Sequence, residues 1–164
     1  MIEKLDFLVR FWELKARHAT LGQPLSPREQ VELLSLMQLV VGEVDVPAAG
    51  PVLRPKSALP AQLIGDGTLR AVEMRAISAG ALIVAIAVPL GVGAQVIVRA
   101  ADAVSGVEYA LPCRIIWVHP GSSQEPSTMA LVVDGIPTRS VFASPGDGQV
   151  STALALGRQE RLVG

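Results

Sequence analysis

The sequence predicts a mainly β protein: a six-stranded antiparallel barrel preceded by an α-helical hairpin. Three observations carry this. Residues 61–137 hold about six short apolar or alternating runs, separated by turn signals such as Asp66-Gly67 and Pro120-Gly121, with no helical period between them. Residues 1–46 repeat apolar side chains at helical spacing. Between these zones, residues 47–60 carry four prolines and a glycine, the composition of an extended linker.

The first helix places Ile2, Leu5, Val9, Trp12, Ala16 and Ala19 at alternating spacings of three and four, a heptad-like seam. Phe7, Phe11 and Leu14 form a second line, which at about 100° per residue falls on the far side of the helix. Glu3, Asp6, Arg10, Glu13 and Arg17 share the narrow sector that remains. A surface helix needs one apolar stripe, so two stripes predict cover on two sides. Phe7, Phe11 and Leu14 are therefore the candidate partner surface, with packing of the hairpin onto the barrel as the alternative. Ser26 then caps a second helix, with Pro27 at its first position and Glu29 placed for a capping box. Val31, Leu33, Leu34, Leu36, Met37, Leu39, Val40 and Val41 follow. The short connection at residues 22–25 makes the two helices antiparallel.

In the β region, Asp66-Gly67 joins residues 62–64 to residues 68–77 as a hairpin. Residues 81–88 are almost wholly apolar, as in a strand covered on both faces. The run from residue 79 to 98 matches the length of a membrane span, but Pro89, Gly91 and Gly93 interrupt it, and two strands joined by a turn are expected instead. Residues 94–100 alternate, with Val96 and Val98 set against Gln95 and Arg99. A turn at 102–106 leads into residues 109–118, where Pro112 marks an edge or a bulge. Residues 128–133 form the last strand. Residues 138–164 read as a Ser/Pro/Gly-rich tail with a short helix near 152–162. Cys113 and Trp117 are expected in the core, and His119 half-exposed at a strand end.

The bulk numbers exclude several function classes. One cysteine and two histidines rule out an internal disulfide and a Cys/His zinc site. Fourteen Lys and Arg against fifteen Asp and Glu give no pull toward nucleic acid, and 4% aromatic residues leave little for base stacking. No base is placed to activate Ser78, so an enzyme is not expected. The N-terminus mixes charges without an apolar run, and a cytoplasmic setting is expected.

One stretch carries more specific information. Arg75-Ala76-Ile77-Ser78-Ala79-Gly80-Ala81 closes one strand and opens the next. Upstream lies Arg54 in the linker, and downstream lie Arg114-Ile115-Ile116-Trp117 and Ala130-Leu131-Val132-Val133. In order and spacing over residues 54–137 this resembles the PilZ domain, a bacterial β-barrel that senses cyclic di-GMP. Members of that family carry Arg-x-x-x-Arg before the barrel and Asp/Asn-x-Ser-x-x-Gly in the turn. Here the second Arg is Ala58, the Asp/Asn is Ala76 and the final Gly is Ala81. Of five diagnostic positions only Arg54 and Ser78 remain.

The losses matter chemically. One guanidinium can stack on guanine while forking to phosphate, which neither Ala58 nor the neighbouring Lys56 can do. Each charge-assisted bond is worth about 1.5–3 kcal/mol, so several losses weaken binding by two or more orders of magnitude. The resemblance thus implies a degenerate PilZ-like adaptor in bacterial signalling or motility, acting through an unidentified protein partner and binding no cyclic di-GMP. Two alternatives stay open. One is a cyclic di-GMP receptor with a non-standard site built on Arg54; the other is a homo-oligomer assembled by the N-terminal helices.

Overall fold

The computed structural model describes residues 1–142 apart from Leu21, Gln23 and Val44; the helix expected near 152–162 lies outside the described residues. Two helices, α1 (Ile2–Ala19) and α2 (Pro27–Leu39), precede seven strands. These are β1 (Leu59–Gly65), β2 (Thr68–Ile77), β3 (Leu82–Ile86), β4 (Gln95–Asp102), β5 (Val107–His119), β6 (Ser127–Val133) and β7 (Thr138–Val141). The sheet runs β4-β1-β2-β3-β6-β5-β7, and a further β4–β5 pairing closes the first six strands into an antiparallel barrel. The stretch that matches a membrane span in length contains β3, a turn and the start of β4, and no helix among the described residues is long and apolar enough to cross a membrane.

Local chemistry sets the turns. Asp66 and Gly67 both take positive φ, the requirement of the tight hairpin that pairs Gly65 with Thr68. The barrel is filled by Leu63, Met74, Leu82, Val84, Val98, Leu111, Ile115, Met129 and Leu131, all buried. Gly65 closes one end of this core. A Cβ there would lie 2.9 Å from Val96 Cγ1 and 3.3 Å from Leu90 Cδ1.

Two bulges decide which residues face outward. Register shifts between Met74 and Ala76 in β2, and between Ile115 and Trp117 in β5. Each swaps inside for outside along its strand. Trp117, expected in the core, therefore pairs with Ala130 on the outer face and is only half-buried. Cys113, ahead of the second bulge, stays in the core.

The seventh strand corrects the expectation of a tail from residue 138. β6 covers the second half of β5, from Cys113 to His119, and β7 pairs with its first half, from Val107 to Ala110. All four β7 residues are exposed, so no alternation announced the strand. Pro112 sits opposite the gap between β6 and β7, where its missing N–H costs nothing, and its carbonyl accepts the Asp134 N–H at 2.8 Å. Leu59 and Pro60 begin β1 ahead of the β1–β4 pairing, so the strand starts inside the expected linker.

Gly65→Ala is expected to destabilise the fold by about 1–3 kcal/mol, because the methyl overpacks the closed end of the barrel. Gly91→Ala, where a Cβ meets nothing within 4 Å, should stay within about 0.5 kcal/mol of the native chain. Urea unfolding of the two variants checks both values.

Candidate functional site

The turn that resembles the PilZ signature is the seat of the helical hairpin. Within it, the Ser78 N–H donates to the Ala81 carbonyl at 2.9 Å, and the Ala81 N–H donates to Ser78 Oγ at 3.2 Å. Two further polar groups of the turn are bonded to the N-terminal segment. The Trp12 indole N–H donates to the Ala79 carbonyl at 3.0 Å, in a buried contact. The Gly80 N–H donates to the Glu43 carbonyl at 3.1 Å, and Lys4 pairs with the Glu43 carboxylate, also at 3.1 Å. Ala79 and Ala81 are buried. The seam of α1 showed that Trp12 faces something; its partner is 67 residues away, so no local pattern could name it.

Arg54 does not reach this turn. Its Nε donates to Glu73 Oε2 at 2.7 Å, and Arg75 Nε donates to the other oxygen at 3.2 Å. Arg54 first, and Arg75 with it, hold the Glu73 carboxyl below the usual carboxylate range. Ala58 closes a turn by donating its N–H to the Pro55 carbonyl at 3.2 Å. The linker ahead of Arg54 lies across the outside of the barrel. Its carbonyls accept from Trp117 (Pro47, 3.0 Å), Thr128 (Gly50, 3.1 Å) and Arg75 (Val52, 2.7 Å). Beneath that path lie Ile83, Ala85 and Ala130, all buried although they face out of the barrel. Ala76, paired with Ile83, shares this face. Arg54, Ala76 and Ser78 are thus three separate local structures, each bonded or packed within the chain.

The hairpin brings charge inward. The Arg10 guanidinium forks to both Glu32 oxygens at 2.8 Å, and Arg17 meets Glu29 at 2.7 Å. Glu29 also completes the capping box with Ser26. The Ser26 backbone N–H and then Arg17 pull the Glu29 carboxyl down to about 2. At the other end of α1, Asp6 accepts from Tyr109 Oη at 2.8 Å and from Arg139 Nε at 2.9 Å. The charged sector of α1 is therefore a contact with α2, β5 and β7.

This packing corrects the candidate partner surface. Phe11 is 4% exposed and Leu14 0%, and Phe7 is half-buried; the chain itself covers the second apolar line of α1. The open apolar surface is one helix further on. Val31, Leu34, Met37 and Val41 are 64%, 61%, 49% and 78% exposed. Beside them runs a groove of about 790 Å³, with Phe11, Lys15 and His18 on one side and Leu33, Met37 and Val40 on the other, reaching Ala79 of the turn. The spacing of Val31, Leu34 and Met37 was readable in the sequence, but which stripe of α2 met α1 was not.

Comparison of the chain with protein-family models, with curated proteins and with solved structures returns no match.

Trp12→Phe keeps most of the ring and removes only the donor, leaving the buried Ala79 carbonyl unpaired. It should cost about 1–3 kcal/mol, read from the unfolding midpoint. The carboxylate of Glu29 gives a pH signature. Because its folded pKa is depressed, its contribution is present above the usual carboxylate range and is lost as pH falls through about 2. The protection of amides in the first turn of α2, taken relative to their intrinsic exchange rate at each pH, should fall over that window, and Glu29→Gln should abolish the dependence.

Proposed function

We propose that this protein is a degenerate PilZ-like regulatory adaptor that works in the cytoplasm by docking onto a protein partner in bacterial signalling or motility, and that it binds no cyclic di-GMP. One observation carries the proposal: the groups that would face a nucleotide are engaged by the chain itself. Arg54 is paired with Glu73, and the turn around Ser78 is bonded to Trp12 and Glu43. A dianionic ligand would have to displace an ion pair and a seated hairpin, and would then find alanine at 58, 76 and 81 where the family has a guanidinium, a carboxylate or amide, and a glycine. The hairpin that took over the turn also carries the exposed apolar residues of α2, the kind of surface that proteins use to bind one another. Catalysis has no support here, since Ser78 Oγ is bonded to the backbone of Ala81.

Isothermal titration of the full chain with cyclic di-GMP should show no binding heat. A Kd in the micromolar range or tighter overturns the proposal. If that binding is then lost in Arg54→Ala with the fold intact, the receptor alternative takes its place.

A further inference from the structure

We infer that the outer face of α2 is a twofold, antiparallel contact with a second copy of this chain. The face is free of charge. The ionisable residues of α2 are Arg28, Glu29 and Glu32, and both glutamates are bonded to arginines of α1. At about 100° per residue Arg28 lies a third of a turn from Leu34. On the stripe centred on Leu34 lie Pro27, Gln30, Val31, Leu34, Met37 and Gln38, all exposed, with Val41 in the turn that follows; Ser35 and Leu39, also exposed, lie on the flank with Arg28.

These residues are arranged symmetrically about Leu34. Val31 and Met37 stand three positions to either side of it, Gln30 and Gln38 four, and Pro27 and Val41 seven. A twofold axis through Leu34, perpendicular to the helix, therefore superposes apolar on apolar and amide on amide. Leu34 would meet its own copy, Val31 would meet Met37, and Gln30 would meet Gln38, whose amides can each donate and accept. An isologous interface demands such self-complementarity, and an uncharged face meets no repulsion from its copy. The four apolar side chains supply on the order of half of the roughly 800 Å² per partner that a standard interface needs. The glutamines and Pro27 supply much of the rest. The contact deepens the reading of the hairpin as an interaction device by naming the first partner it takes.

Sedimentation and light scattering of the full chain should give twice 17.2 kDa at micromolar concentration. Leu34→Glu leaves the exposed site helix-compatible and sets two carboxylates against each other at the axis. It should weaken the dimer at least about a hundredfold with an unchanged circular dichroism spectrum. Oxidative cross-linking tests the geometry independently, since the one native thiol, Cys113, is buried and its pKa is pushed up to about 12. Leu34→Cys should cross-link to itself. Gln30→Cys alone should not, because its two copies lie about 12 Å apart along the axis, beyond disulfide reach. A mixture of Gln30→Cys and Gln38→Cys should form the mixed dimer. A monomer at all concentrations overturns the inference and leaves the groove to residues 143–164 or to another protein. A dimer indifferent to Leu34→Glu, or one in which Gln30→Cys links to itself, also overturns it. None of these outcomes touches the calorimetric test of nucleotide binding, so the two readings fail separately.

Discussion

The two-sided burial of β3 is the constraint from which the rest of the architecture follows. Leu82–Ile86 has no polar side chain and lies between β2 and β6, so both of its faces must be kept from water. The barrel core covers one face. The outer face, with Ile83 and Ala85, is covered only if another segment is laid across it, and the linker does this through carbonyls bonded to Trp117, Thr128 and Arg75. With the linker so placed, Arg54 lands beside Glu73, and the hairpin ahead of the linker is brought to the turn that opens β3. The linker thereby keeps the outer face of the apolar strand from water.

The hairpin shows which forces hold and which orient. Its ion pairs are partly exposed, and pairs of that kind contribute about 0.2–1 kcal/mol each. Burial of Leu5, Leu8, Val9, Phe11, Trp12 and Leu14 is worth several times more, at about 1.5–3 kcal/mol for each large apolar side chain. Apolar contact therefore binds α1 to the barrel. The forked Arg10–Glu32 pair and the Arg17–Glu29 pair fix the register between the helices, because a fork tolerates little sliding. They also draw the charge of α2 to one side and leave the opposite side bare.

Much of the fold was legible because it rests on short-range signals. Asp66-Gly67, the capping box at Ser26 and the bounds of β2 depend on residues adjacent in the chain. The barrel with its leading hairpin followed from those. The missed features depend on contacts distant in sequence or on a broken alternation. Trp117 turned outward because a bulge lies two residues before it. β7 stayed hidden because a fully exposed four-residue strand has no apolar period. The candidate site divided in the same way. The alanines at 58, 76 and 81, which depart from the PilZ pattern the chain was compared with, are visible as letters. The engagement of Arg54 by Glu73, and of Ala79 by Trp12, is a matter of three-dimensional placement. The cover over Phe11 and Leu14 is hidden for a related reason: a two-striped helix says that both sides are covered, but not by what.

The tie of Asp6 to Tyr109 and Arg139 has a kinetic consequence. Its partners are 103 and 133 positions away, while the α1–α2 turn and the β1–β2 hairpin close over a few residues. Local closures form in microseconds, whereas contacts of such separation must wait until the intervening chain is in place. The α1–α2 turn and the β1–β2 hairpin are therefore closures of low contact order, whereas the seating of α1 at Asp6 is one of high contact order. The Ala79 carbonyl, the Gly80 amide and the apolar seam of α1 are covered by the same docking. The hairpin is thus seated by contacts that span almost the whole described sequence, from Asp6 to Arg139.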